Sequence, residues 1–364
     1  MNELEKARQI INETDTEMAK LFERRMRAAE MVAHYKKENG LPILDSGRED
    51  EIISRGAKRI EDQALREYYV NFLKDTMKVS KQYQSRLTQG MRVAYCGTEG
   101  AFAHIATRKI FPSAVSVAYP DFPSVYDAVV RGECDAAVLP VENSYNGEVG
   151  QVTDLLFSGS LYINSMLELA VSHDLLVTPD AEMADIKEVV SHPQTLGQCA
   201  EYIRSNGFAT HEYTNTALAA KHVAKKGDKI LAAIASEEAA EIFGLKVLAR
   251  NINASRSNTT RFAVLSRSEN IPGAKKMDVY SVLLFTVKHE AGSLAKALDI
   301  IGAYGFNMRT LRSRPMKELL LQYYFYIEIE GNIHSEEGKE MLRGLEACCD
   351  RLKSAGTFTK QERG

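Results

Sequence analysis

Residues 91–141 read MRVAYCGTEGAFAHIATRKIFPSAVSVAYPDFPSVYDAVVRGECDAAVLPV. Three short β-favouring runs, RVAYCG (92–97), VSVAY (115–119) and DAAVLPV (135–141), alternate with helical spacing near 101–111 and 123–131. Strand–helix alternation of this kind predicts an α/β domain with a largely parallel sheet. The pattern continues through EVVSH (188–192), a helix near 195–205, ILAAIAS (230–236) and RFAVLSR (261–267). NINASRSNTTRF (251–262) is polar and irregular, a loop feeding the last of these strands.

Upstream, residues 1–90 carry a single proline, Pro42, and apolar residues at helical spacing: Ile10, Ile11, Met18, Leu21, Phe22, Ala29, Val32 and Ala33. The spacing predicts a long helix over about 3–38, a turn at Gly40-Leu41-Pro42, a helix from about 46 and a third ending near 87. Ser46-Gly-Arg-Glu49 fits a capping box at the second start. Downstream, SRSENIPGAKKMD (266–278) reads as a linker. YSVLLFTVK, a helix over 292–303, QYYFYIEIEG and a helix near 335–353 then suggest a small β-α-β-…-β-α module. The expected domains are 1–90, 91–268 and 277–357.

The 364 residues carry 46 Lys/Arg against 49 Asp/Glu, a net charge of -3. Such a chain lacks the basic field of a nucleic-acid binder. No apolar run approaches the roughly 20 residues of a membrane span. The opening MNELEKARQI is charged where a secretion signal is apolar. Five cysteines with no C-x-x-C pair suggest neither a disulfide framework nor a zinc site. The expectation is a cytoplasmic protein with no metal, no membrane and no nucleic-acid partner.

In the helical part, Arg25 and Lys36 lie eleven residues apart, within about 20° of one face and roughly 16 Å along the axis. Ser80 and Gln84 are neighbours at i,i+4. Arg8, roughly 25 Å up the helix from Arg25, cannot touch the same small ligand as Lys36. If functional it reaches a partner subunit's site, which points to a dimer. The pattern Arg8…Asp15…Glu23-Arg24-Arg25-Met26…Lys36…Asp45-x-x-Arg48-Glu49…Ser80-x-x-x-Gln84 resembles the all-helical chorismate mutase family. The resemblance implies that Arg25, Arg48 and the partner's Arg8 hold the two carboxylates of chorismate. It gives Lys36 and Gln84 the ether oxygen, Glu49 the substrate hydroxyl, and Asp45 and Ser80 the pocket wall. A Claisen rearrangement needs no nucleophile, only a folded conformer and donors aimed at the breaking C–O bond.

In the α/β part, polar clusters fall at strand ends, where open parallel sheets place ligands. They are Gly97-Thr98-Glu99-Gly100, Glu142-Asn143-Ser144, Ser191-His192-Pro193-Gln194 with Gln198, and Thr259-Thr260-Arg261-Phe262. The second helix N-terminus, after His192, offers N–H groups to an anion. Neither G-x-G-x-x-G nor G-x-S-x-G is present, which disfavours dinucleotide and α/β-hydrolase folds. Cys199 beside His192 reads as packing rather than as a nucleophile.

In the order G-x-x-G-A-F…L-P-V-E-N-S…S-H-P-Q-x-x-x-Q-C…N-T-A…T-R-F these clusters resemble prephenate dehydratase. That resemblance implies two periplasmic-binding-protein-like α/β lobes with the site between them and no cofactor. Thr260 becomes the acid that protonates the departing ring hydroxyl. Glu142, Asn143, Ser144, Ser191, His192, Gln198 and Arg261 become prephenate-binding residues. Ala103 stands where a Ser or Thr is usual.

Residues 277–357 resemble an α+β, ferredoxin-like ACT regulatory domain. Gly292, Ser293 and Leu294 stand in its P-G-A-L-like turn, and Arg312, Ser313 and Arg314 in its E-S-R-P segment. Ala291, Ser293 and Arg312 replace Pro, Ala and Glu. The resemblance implies phenylalanine as an effector bound at those six positions. Together the three parts resemble the bifunctional chorismate mutase–prephenate dehydratases of phenylalanine biosynthesis, as homodimers or higher homo-oligomers. Two alternatives are an amino-acid-sensing binding protein with vestigial catalytic residues, and a monofunctional dehydratase.

Overall fold

Asn2 accepts the Glu5 N–H while Glu5 reaches back to the Asn2 N–H, a capping box that starts the 36-residue helix α1 (Glu3–Glu38). In this computed structural model residues 2–254, 258–271, 278–316 and 322–359 are described. The chain divides into two units, Met1–Arg92 and Val93–Gly364.

The first unit adds α2 (Ser46–Ala57) and α3 (Arg66–Gln89). The cap of α2 is Asp45, whose carboxylate accepts the Arg48 N–H, rather than Ser46 as expected. Its apolar core is thin: among the described residues only Ala29, Ala33 and Met77 are buried apolar side chains. Ile10, Ile11, Met18, Leu21, Phe22 and Val32 lie exposed, and Phe72 and Val79 of α3 join them. The helical periodicity of α1 therefore marks a face left open by this chain, and only its two small alanines are packed inward.

The second unit opens with a lobe built from β1 (Arg92–Cys96), α4 (Phe102–Ile110), β2 (Val115–Tyr119), α5 (Phe122–Val130), β3 (Ala136–Asn143), β4 (Gly147–Glu148), α6 (Gly150–Ser158) and β5 (Tyr162–Ala170). The chain crosses into a second lobe of β6 (Asp174–Val177), β7 (Glu188–Ser191), α7 (Pro193–Gln198), α8 (Ala200–Ser205), β8 (Ala209–Glu212), α9 (Thr216–Lys226), β9 (Leu231–Ala235), α10 (Glu237–Phe243) and β10 (Lys246–Ala249). It returns as β11 (Thr259–Ser266), which enters the first sheet between β3 and β5. The sheets run β2-β1-β3-β11-β5, with β4 beside β3, and β10-β6-β9-β7-β8. The loop before β11 includes 255–257, outside the described residues.

The expectation of a largely parallel sheet needs correction. β1 with β3, and β7 with both β8 and β9, are parallel. The strands next to the crossovers are not: β11 is antiparallel to β3 and β5, and β6 to β9 and β10. A strand that re-enters a lobe from the other one arrives against the direction of the strands it joins.

The expected linker falls largely on 272–277, outside the described residues. Beyond it come β12 (Val279–Val287), α11 (Ser293–Ala303), β13 (Asn307–Pro315), β14 (Tyr323–Glu330), α12 (Glu336–Glu346) and β15 (Cys349–Thr359). This is a βαββαβ, ferredoxin-like succession with antiparallel order β13-β14-β12-β15. The helix expected to 353 stops at Glu346, and the charged segment after it is a strand paired along β12.

Alternation along β12 splits the core in two. Val282 and Leu284 meet Ile163, Ala263 and Leu265 of the first lobe, with Tyr326 and Phe358 from the neighbouring strands. Leu283 and Phe285 meet Ala297, Ile301, Met341 and Leu345 of the C-terminal helices. The C-terminal sheet is thus packed into the first lobe's own hydrophobic core. The closest approach is at Gly356 of β15 (φ +132°), where an added Cβ would lie 2.2 Å from the Ile163 carbonyl oxygen. Gly356→Ala should therefore destabilise this unit by about 2–4 kcal/mol through overpacking and backbone strain. Urea denaturation followed by circular dichroism checks this, and a loss below about 1 kcal/mol would contradict the tight contact.

Candidate active sites in the helical unit and the two-lobed unit

In the helical unit α1 and α3 bring Arg25 to Ser80. The guanidinium donates to Ser80 Oγ, and also to the Thr76 carbonyl at 3.4 Å. Burial holds the Arg25 pKa below its ordinary value. Gln84, one turn beyond Ser80, is buried and its Oε1 has no protein partner. Lys36 donates to the Ile43 carbonyl at 2.6 Å, just ahead of α2. Glu49 pairs with Lys81 at 2.8 Å. Arg48 pairs with Glu51 and shares with Arg25 the wall of an apolar groove of about 910 Å³. Arg8 is exposed, far along α1 from these residues. Of the expected mutase residues, Arg25 and Arg48 share the groove and Ser80 touches Arg25, while Lys36, Asp45 and Glu49 hold partners at or near α2 and Arg8 stands apart.

In the two-lobed unit a cleft of about 290 Å³ is lined by Asn143, Thr260, His173, His192, Gln198 and Asn258. Thr260 lies opposite Asn143 in the β11–β3 register. The Asn143 amide is oriented by the backbone, since its Oδ1 accepts the N–H groups of Tyr145 and Asn146, both at 3.0 Å. Its Nδ2 must then face β11, where it donates to Thr260 Oγ1 at 2.9 Å and to Asn258 Oδ1 at 2.8 Å. With an acceptor position of Oγ1 occupied, the Thr260 hydroxyl keeps its own proton to donate.

Asn258 and His173 come from the two crossovers, and sequence reasoning missed both. Each is a lone polar residue next to a strand, with no motif spacing to single it out. His173 Nε2 lies 2.8 Å from Gln198 Oε1, and Asn258 Nδ2 3.4 Å from the same oxygen. A continuous chain of contacts, Thr260–Asn143–Asn258–Gln198–His173, therefore ties β3 and β11 to the second lobe. Burial lowers the His173 pKa, outweighing Gln198 and Asp174, so the ring is neutral. Cys199 is buried and its thiol is pushed up to about 12, which leaves no thiolate.

Four expected prephenate ligands do not line the cleft. Ser191 is fully buried and donates to the Ile234 carbonyl at 2.6 Å. Ser144 Oγ accepts the Thr259 N–H at 2.9 Å, locking the strand end. Glu142 and Arg261 point to the opposite face, because residues next to Asn143 and Thr260 alternate across the sheet. There Arg261 pairs with Glu142 at 3.3 Å and with both oxygens of Glu328 at 2.9 Å. His192 caps α7, accepting the Gln194 N–H at its own Nδ1, 3.3 Å away.

Of the six expected effector positions, Gly292 (φ +84°) is exposed at the start of α11, followed by half-buried Ser293 and Leu294. Ser313 is exposed on β13. Arg312 and Arg314 turn the other way, onto the first lobe. Arg312 pairs with Glu142 at 2.5 Å, and Arg314 donates to Asp154 at 3.0 Å beside the Tyr324 hydroxyl.

Comparison with known proteins assigns a family to each of the two units. The chorismate mutase type II family profile matches residues 7–85 and the prephenate dehydratase profile residues 93–270. A bifunctional chorismate mutase/prephenate dehydratase of Enterobacter agglomerans is 31% identical over 94% of this chain and 92% of its own. The chain belongs to this bifunctional family. An arogenate dehydratase/prephenate dehydratase of Arabidopsis thaliana is 34% identical over 77% of this chain and 76% of its own. A prephenate dehydratase of Arthrobacter aurescens, solved in complex with L-Phe, shares the fold with a TM-score of 0.69 at 24% identity. That likeness covers 75% of this chain and 92% of the other. As a chorismate mutase/prephenate dehydratase, the chain carries its two chemistries in the two units described above.

The neutral, buried His173 gives this unit an acid limb. Below the ordinary imidazole value of 6.5 the unfolded chain takes up a proton that the folded site resists, so stability falls with pH until the lowered folded pKa is passed. Between pH 6.5 and 5, His173→Gln should therefore show a shallower fall in melting temperature than the unaltered protein. Parallel acid limbs in thermal scans would exclude His173 as the titrating group.

Proposed function

We propose that Arg25 and Arg48 clamp the carboxylates of chorismate, that Lys36 and Gln84 donate to its ether oxygen, and that Glu49 takes its hydroxyl. Asp45 and Ser80 hold the wall. The half-buried Arg25 beside Ser80 and the buried Gln84 support this, since cations and amides out of water bind developing charge far better than exposed ones. A second copy of the chain, covering the open apolar face of α1 and lending its Arg8, completes the site. The contiguous exposure of Ile10, Ile11, Met18, Leu21 and Phe22 supports that dimer.

In the second unit Thr260 donates its proton to the departing ring hydroxyl of prephenate as the carboxylate leaves as CO₂, so that water, CO₂ and phenylpyruvate result. The observation that carries this role is the Asn143 amide, which is fixed by backbone N–H groups and leaves Thr260 as donor. His192 and Gln198 face the same cleft and serve as prephenate contacts. We take the chain as three domains, 1–90, 91–268 and 277–357, the last an ACT module whose Gly292, Ser293, Leu294 and Ser313 receive phenylalanine as feedback inhibitor. The βαββαβ topology and the L-Phe complex of a protein with this fold support that assignment. None of the chain's five cysteines forms a disulfide, which suits a reducing cytoplasm.

Incubation of the protein with chorismate, following prephenate and phenylpyruvate separately, tests the division of labour. Lys36→Ala should lower mutase turnover about a hundredfold, or ~3 kcal/mol, while conversion of supplied prephenate barely changes. Equal loss of both rates in a folded variant would sink the separate sites.

Thr260→Ala should do the reverse, abolishing dehydration and sparing the mutase. Thr260→Ser should keep measurable activity because the hydroxyl survives. If the two variants behave alike, the proton comes from elsewhere.

A further inference from the structure

The face of the first sheet opposite the cleft carries a row of charges that the catalytic reading does not use. Glu142, Arg261 and Glu168 lie directly across from one another on β3, β11 and β5. The C-terminal sheet faces them with Arg309 and Arg312 on β13 and Glu328 on β14. Three contacts cross between the two sheets, Arg261 to both oxygens of Glu328 at 2.9 Å, Arg312 to Glu142 at 2.5 Å and Arg309 to Glu168 at 3.7 Å, while Arg309 also reaches Glu328 within the C-terminal sheet at 3.7 Å. Three arginines thus meet three carboxylates, and the charges balance. Glu328 is 0% exposed, so its carboxylate meets arginines in place of water. Burial opposes ionisation of Glu142, yet Arg312 and Arg261 hold its pKa below the ordinary carboxylate range.

Two features give this cluster direction. Each residue of the row that touches the cleft machinery is the chain neighbour of a cleft residue, since Arg261 follows Thr260 and Glu142 precedes Asn143. Displacing either side chain rotates or shifts the strand that aims the Asn143–Thr260 hydrogen bond. On the other side, Arg312 and Ser313 are adjacent on β13 and point to opposite faces, one to Glu142 and one to solvent. A ligand that moves the exposed face of β13 must move the Arg312 end of the network.

We propose that this six-membered ion-pair network transmits the state of the C-terminal sheet to Thr260, with Arg312 as its positioning residue. The inference rests on the ACT reading for its effector and on the geometry alone for its effect on dehydration. Without Arg312, Glu142 turns wholly to Arg261 and competes with Glu328 for it, which loosens the aim of the Thr260 proton without touching the substrate contacts at His192 and Gln198.

The test compares the unaltered full chain with Arg312→Met, which keeps an unbranched apolar stem but removes the guanidinium and its contact with the Tyr326 ring, and with Arg312→Lys, which keeps the charge. Dehydratase kcat and KM, inhibition by phenylalanine, and calorimetric binding of phenylalanine are measured on each. Arg312→Met should lower kcat three- to tenfold with KM within twofold, and raise the phenylalanine concentration for half-inhibition at least tenfold. Its phenylalanine Kd should stay within threefold, and Arg312→Lys should recover at least half of the lost kcat. Unchanged kcat in Arg312→Met overturns the proposal. So does a Kd that rises in step with the loss of inhibition, which would make Arg312 an effector ligand instead. If the unaltered protein binds no phenylalanine, the effector reading fails by itself and the kcat arm still decides the network. Should Arg312→Met not fold, Arg309→Met removes the other β13 cation and is held to the same kcat criterion.

Discussion

One strand sets the terms for the larger unit. β11 enters the first sheet between β3 and β5 only after the chain has built the whole second lobe. Its residues alternate between two environments: Thr260 in the cleft, Arg261 under the C-terminal sheet, Phe262 and Leu265 in the core. Because strand side chains repeat every two residues, the register of β11 against β3 decides all of these placements at once. A slip by one position would put a guanidinium in the cleft and the hydroxyl against Glu328. The bulge after Arg261 falls just past the Asn143–Thr260 pair, so Thr260 opposite Asn143 and Arg261 opposite Glu142 keep regular pairing.

The helical unit obeys a different constraint. A 36-residue helix is roughly 54 Å long, far more than two shorter helices can cover, and few of its side chains are buried. A segment of this size cannot pay the conformational entropy of folding from Ala29, Ala33 and Met77 alone. The exposed apolar face is therefore part of the folding problem and not only of the site. The polar residues that do become buried, Ser80 and Gln84, lie on α3 against the inward side of α1, next to Arg25. The proposed chorismate site and the scarce burial coincide there.

What the sequence made legible follows from which interactions are local. Helix periodicity located α1 from 3 to 38, and turn chemistry placed α2 from 46, since both depend on neighbours three or four residues apart. Only the start of β15, residues 349–353, reads as helix in the sequence, because Asp350, Arg351 and Lys353 give no alternating apolar signal and its strand state depends on pairing with β12 some seventy residues away. Asn143 and Thr260 are each legible through the motifs that hold them, but their pairing is set by the register of β11 against β3. Glu142 and Arg261 were grouped with the substrate because a motif records adjacency along the chain and not the face of a sheet. His173 and Asn258 carried no spacing at all, and only the meeting of the two crossovers makes them neighbours of Gln198.

The same distinction explains why charges, rather than more leucines, lie between the first sheet and the C-terminal sheet. Around them the contact is already hydrophobic, with Val282, Leu284, Tyr326 and Phe358 seated on Ile163, Ala263 and Leu265. A buried ion pair is seldom more stable than a well-packed apolar substitute, because desolvation offsets most of the attraction. Stability alone thus gives no reason for Glu328 to be a carboxylate. Apolar packing has one low-energy arrangement and resists deformation as a block. Arginine forks and carboxylates can exchange partners over small displacements while every charge stays compensated. Glu142 already divides itself between Arg261 and Arg312, and Glu328 between Arg261 and Arg309. An interface of this composition holds two sheets together through its apolar part and keeps, in its polar part, the freedom to shift one against the other.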